Sequence, residues 1–249
     1  MPRLGEEGMV QGKIGKGFTF TGTRIEKLTS TLYTLVDIQV DVTGSVEAFE
    51  DDLTKMLQAS VEGCRKCPTP ENLLVRVSLF SDRFPGGTSE IHGFKPLAEI
   101  DTSKYPALVA GGMTPLCDAC YSGIGAVTAY GKQLTDQEYT VNAITFVITD
   151  GFENASTTTP AMVKALKKKA ISGEQLESFI GILIGVNAAQ YAQVLATFKD
   201  EAGLDKYIDV KDVNPQELAK LAAFVSQSVS SQSQALGTGG PSQSIAATI

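Results

Sequence analysis

Five apolar runs, separated by segments of helical periodicity, constrain this chain more than any other feature. They cover residues 32–40, 73–80, 143–149, 179–185 and, in a shorter form, 207–210. A strand with one wet face alternates polar and apolar residues, whereas a continuous apolar run marks a strand covered on both faces. Between the runs, residues 46–61 place Phe49, Leu53, Met56, Leu57 and Val61 close to a helical repeat. Residues 116–130, 161–171, 188–198 and 215–229 behave in the same way. The last of these has a well-formed entry, with Asn214 as cap, Pro215 at the first helical position and Glu217 where a capping box places its acid. Strands alternating with helices predict an α/β fold: a doubly wound, mostly parallel sheet with one antiparallel edge strand and helices on both faces.

The ends fall outside this pattern. Residues 1–13 are rich in Gly and charge and read as an extension, and residues 230–249, mostly Ser, Gln, Gly and Ala, read as a flexible tail. That leaves 14–229 as one domain, to which Phe18–Thr21 adds a further edge strand. The net charge of −7 argues against a nucleic-acid partner, which needs an excess of Lys and Arg on one face. The one basic run, Lys167-Lys168-Lys169, reads as a solvated helix face. No stretch approaches the roughly 18 consecutive apolar residues of a membrane span. The first seven residues carry acids where a secretory leader needs a basic and then an apolar region, which points to the cytoplasm.

In an open α/β sheet, ligands collect at the carboxyl ends of the strands. The first apolar run is followed by Asp41-Val42-Thr43-Gly44-Ser45 and the third by Asp150-Gly151, while Gly111-Gly112-Met113-Thr114-Pro115 precedes a helix. If the strands are parallel, these loops share one rim and offer two carboxylates and three hydroxyls. An all-oxygen donor set suits a hard cation, Mg²⁺ first, with Mn²⁺ or Ca²⁺ as alternatives. Mg²⁺ keeps waters and seldom sits in an all-protein cage, so a partner's Asp or Glu could complete the site. The competing reading is plain: Asp and Ser at a strand-to-helix turn are also ordinary N-caps.

These residues carry a family resemblance. Asp41-Val42-Thr43-Gly44-Ser45 resembles the Asp-x-Ser-x-Ser element of the metal-ion-dependent adhesion site (MIDAS) in von Willebrand factor A domains, with Thr43 in place of the usual Ser. Thr114 matches that site's lone Thr and Asp150 its final Asp. Leu79-Phe80-Ser81-Asp82, the run 182–186 and the segment 207–225 are similar to further core elements, so the resemblance covers about residues 31–229. It implies that Thr43, Ser45 and Thr114 supply hydroxyl oxygens and that Asp41 and Asp150 act directly or through waters. It also implies a non-catalytic, metal-dependent protein-binding role. Intracellular members of the family commonly serve as adaptors. The alternatives are a structural subunit with a vestigial metal site and, more distantly, an aspartate-dependent phosphatase. The second is disfavoured because Thr43, a poor proton donor, stands where such an enzyme carries its acid.

Other signals carry less. Cys64/Cys67 and Cys117/Cys120 form two Cys-x-x-Cys pairs. The first pair ends a helix that starts at the rim and the second begins a helix there, so about 20 residues of helix, on the order of 30 Å, separate them. Idle thiols in a reducing compartment are the expectation. His92, the one histidine, lies in an expected edge strand as a polar surface residue. Gly12-Lys13-Ile14-Gly15-Lys16-Gly17 lacks the ending of a phosphate loop. Phe84, Phe152 and Glu153, close to the rim loops, are candidate contact residues.

Overall fold

A computed structural model of the protein describes residues 8–173, 175–211 and 214–238. Its strands are β1 (Met9–Gly15), β2 (Phe18–Thr23), β3 (Leu32–Asp41), β4 (Leu73–Phe80), β5 (Thr88–Pro96), β6 (Thr140–Thr149), β7 (Ser178–Val186) and β8 (Lys206–Val210). Its helices are α1 (Glu50–Cys64), α2 (Leu116–Thr135), α3 (Pro160–Ser172), α4 (Ala192–Ala202) and α5 (Pro215–Thr238). The sheet order is β1-β2-β5-β4-β3-β6-β7-β8. β4, β3, β6, β7 and β8 are mutually parallel, and they are the five apolar runs of the sequence. β5 is antiparallel to β4, and β1 is antiparallel to β2.

The continuous apolar character of β3 has a direct cause. Val36, Ile38 and Val40 pack under α1 and α5, while Tyr33 and Leu35 pack under α2, α3 and α4. Both faces are covered, so alternation is lost. The α2 face carries one polar interruption. Arg76 of β4 is fully buried and pairs with Asp37 at 2.7 Å and with Glu90 of β5 at 2.6 Å. Gln39 donates to both oxygens of Asp37.

Several expectations are corrected. Residues 9–13, read as part of an extension, belong to β1, because Ile14 packs on α2 and the backbone pairs with β2. The segment Gly15-Lys16-Gly17 is the tight turn of this hairpin, with all three residues at positive φ. β5, expected at an edge, is flanked by both β4 and β2, and His92 within it is half-buried with its Nε2 2.8 Å from the Tyr105 hydroxyl. The helix expected from residue 46 begins as a 3-10 turn, Gly44–Phe49, and becomes α-helical at Glu50. α5 continues through 230–238, read as part of a tail, because Gln232 is buried and donates to the Ala143 carbonyl while its own carbonyl accepts from Asn142. Residues 239–249 lie outside the described residues. Lys167 is not solvated: it is buried against Asp205 at 2.6 Å, while Lys168 and Lys169 are exposed. The Asn214 cap is as expected, its side chain accepting from the Gln216 and Glu217 amides at 3.0 Å each. Among the described residues no helix is long and apolar enough to cross a membrane.

The β1–β2 hairpin is held to the sheet where β2 crosses β5. Thr23 donates to the Phe94 carbonyl at 3.0 Å, and a Cβ on Gly93 would overlap the Thr21 backbone. Gly93→Ala is therefore expected to destabilise the protein by about 1–3 kcal/mol, with the hairpin amides losing hydrogen-exchange protection first. Wild-type protection in the hairpin would contradict this close approach.

Candidate metal-binding rim

The rim is built where three loops meet at the carboxyl ends of β3 and β6. Asp41 ends β3, side by side with Phe80 of β4, and is fully buried. Its Oδ1 accepts the Thr43 amide at 2.9 Å, which turns the chain out of the strand, and its Oδ2 accepts the Thr149 hydroxyl at 2.6 Å. From the second loop, Gly112 at φ +83° offers its carbonyl to the Gly44 amide at 2.9 Å. A side chain there would be strained and would overlap Asp82. That contact sets Thr114 beside Thr43, with their hydroxyls 3.2 Å apart. The third loop brings Asp150, whose Oδ1 accepts the Ser45 hydroxyl at 2.7 Å. The Thr43 and Ser45 hydroxyls are 3.3 Å apart. A Cβ on Gly151 would lie 3.8 Å from both Ser45 Oγ and Thr114 Oγ1.

All five residues singled out in the sequence therefore converge. Asp41, Thr43, Thr114 and Asp150 are buried, and Ser45 is exposed, so the cluster opens to solvent on the Ser45 side. The capping alternative is answered by the same contacts. Neither the 3-10 turn after Thr43 nor the start of α1 or α2 has a side-chain cap from its flanking residue. The hydroxyls point across the loops at one another and at Asp150 instead. α2 takes its cap from elsewhere: Glu153 accepts the Cys117 amide at 2.6 Å.

Electrostatics favour a cation here. No Lys, Arg or His forms an ion pair with Asp41 or Asp150 among the described residues. Burial pushes the Asp41 carboxyl up to about 7, against the pull of its bonds from Thr149 and Thr43. Burial also raises Asp150, against its bond from Ser45. Two desolvated carboxylates beside three hydroxyls form a donor set that a hard divalent ion would stabilise, so the residues present fit such an ion.

Among the described residues no three His, Cys, Asp or Glu side chains come together as a metal group, so a four-thiolate site has no support. The cysteine pairs lie on opposite faces of the sheet, Cys64/Cys67 under α5 and Cys117/Cys120 in α2, and all four are free and buried. Burial raises each thiol, which suppresses the reactive thiolate.

Several supporting residues belong to no recognisable motif. Thr149 orients Asp41. Asn154 accepts the Thr114 amide at 2.7 Å and returns its own amide to the Thr114 carbonyl. Glu153, a candidate contact residue, spends both oxygens on Cys117, Ala155 and Ser156. Phe84 packs against the core, whereas Phe152 is exposed and touches the Tyr191 ring. The one available signal was strand alternation, which sets Thr149 on the same face as Asp41.

No protein-family model matches the chain, and no curated protein matches it. Among solved structures it is similar to the PilB minor pilin from Streptococcus sanguinis, with a TM-score of 0.58 at 17% identity over 88% of this chain and 66% of the pilin. It is also similar to the pilus adhesin SpaC from Lactobacillus rhamnosus GG, with a TM-score of 0.55 at 10% identity over 91% of this chain and 33% of the adhesin. The chain thus spans just under two thirds of the one and a third of the other. At such identity the likeness is one of fold. The shared architecture is α/β, a mostly parallel sheet with helices on both faces. A minor pilin and a pilus adhesin lend no support to the cytoplasmic placement, which was read from the first seven residues.

Proposed function

We propose that this domain binds a partner protein through a MIDAS-type divalent cation, Mg²⁺ in the first instance, held at Asp41, Thr43, Ser45, Thr114 and Asp150. The ion accepts an Asp or Glu side chain from the partner. The observation that carries this reading is the direction of the side chains: the Thr43, Ser45 and Thr114 hydroxyls and the Asp150 carboxylate, from three loops, face one another and none caps a helix, while Asp41 lies directly behind Thr43, turned by its amide and by Thr149. Two carboxylates roughly balance the ion and three neutral hydroxyls leave it electrophilic, which favours capture of a further carboxylate. The role is that of a non-catalytic adaptor. Thr43, in the position where a phosphatase carries a general acid, is buried and hydrogen-bonded to Thr114 and Ser45.

The test is calorimetric titration of metal-stripped protein with Mg²⁺ and Mn²⁺, beside Asp150→Ala. One saturable site, lost in the variant with the unfolding midpoint little changed, is the expected result. No heat at millimolar metal would overturn the reading and favour a structural subunit.

A further inference from the structure

Exposed apolar side chains are unevenly distributed on this molecule. Among the described residues five large ones stand out in solvent: Val109, Met113, Phe152, Ile171 and Val194. All but Ile171 border the rim. Met113 immediately precedes Thr114, and its carbonyl accepts from Asp82 at the end of β4. The Val109 carbonyl accepts from Arg83. Phe152 follows Asp150 by two residues and touches Tyr191, on the turn after β7. Since the sheet runs β4-β3-β6-β7, Val109 and Met113 lie towards β4 and Phe152 and Val194 towards β7, with Asp41 and Asp150 between.

The β7 side is also concave. Phe152, Pro160, Val194 and Phe198 line a mostly apolar cavity of about 330 Å³, bordered by Glu153 and Glu201. It begins one residue beyond Gly151, which stands over the Ser45 and Thr114 hydroxyls. Apolar surface gathered in this way marks an interaction site, and a cavity of this size accepts a large side chain.

We infer that the partner presents its carboxylate within a short segment whose neighbouring residue is a large aliphatic or aromatic one, seated in the groove between Phe152 and α4. This rests on the metal reading above. The groove selects by burial, and Glu201 disfavours a second acid on that side. Burying one such side chain discriminates about tenfold or more against Ser or Gly.

The test uses immobilised heptapeptide pools with a fixed central Asp and each neighbour varied in turn, incubated with the full chain in Mg²⁺ or in chelator. Calorimetric Mg²⁺ titration of the same protein runs in parallel. The expected result is at least tenfold enrichment of pools with Leu, Ile, Met or Phe beside the Asp, in Mg²⁺ alone. Val194→Glu, a change at an exposed position, is expected to remove the preference. Ile171→Ser, an equally exposed apolar residue at the end of α3 away from the rim, is expected to keep it. Mg²⁺ binding with no neighbour preference overturns this inference and leaves the metal reading standing. Enrichment that persists in chelator, or in Val194→Glu, also overturns it. Absence of Mg²⁺ binding overturns both.

Discussion

Replacing Arg76 with leucine is expected to lower the unfolding free energy by about 3–5 kcal/mol, measured by urea denaturation at neutral pH. The guanidinium is fully buried and bonds Asp37, Glu90 and, at 3.4 Å, Ser122. Removing it leaves Asp37, itself completely buried, without its counter-charge. Burial already raises that carboxyl above its ordinary range, with Arg76 and Gln39 pulling it back. The loss comes from the stranded acid more than from any net worth of the pair. The double variant Arg76→Leu with Asp37→Leu is therefore expected to recover more than half of it, since apolar replacement of both partners in a buried pair is often neutral. A single variant within 1 kcal/mol of wild type would show that water reaches this layer.

The second large effect concerns Asp41 and pH. Its carboxyl titrates near 7 in the folded chain against 3.8 ordinarily. The native state therefore holds this proton more tightly than the unfolded state does. Stability from this group is fully present below pH 4 and is lost as pH rises through 7, by on the order of 4 kcal/mol. Metal-free protein is thus expected to be more stable to urea at pH 5 than at pH 8, and Asp41→Asn should flatten that difference. If Mg²⁺ occupies the rim as proposed, it is expected to reverse the slope, because a metal binds the deprotonated site and its affinity rises with pH. Equal urea midpoints at pH 5 and pH 8 in metal-free protein would mean that solvent already relieves the burial of Asp41.

The parallel half of the sheet was legible because burial on both faces writes an unbroken apolar run. β4 coincides with its run, Leu73–Phe80, and β7 extends its run by one residue at each end. The other half was not. β1 holds two glycines and a lysine in seven residues, and its place depends on β2 and α2 and not on its own propensity. α5 outran its periodic segment because Gln232 is satisfied by β6, which no local pattern announces. At the rim, the five donors were legible because each follows a recognisable strand or precedes a helix. Thr149 was marked only by strand alternation, and the supporting roles of Glu153 and Asn154 by nothing, because these roles lie in bonds to residues about 35 to 110 positions away.

The two ends of the described chain leave from the same pole. Gly8 receives the amide of Arg24 just beyond Thr23, whose carbonyl bonds Tyr130 late in α2, and α5 descends past Asn142 at the foot of β6. The rim crowns the opposite pole, at the tops of β3 and β6. Both ends of the described residues thus lie away from the rim. If a carboxylate is captured at the rim as proposed, a pull between it and the opposite pole would run lengthwise along the central strands, loading many ladder hydrogen bonds at once and not opening them one by one.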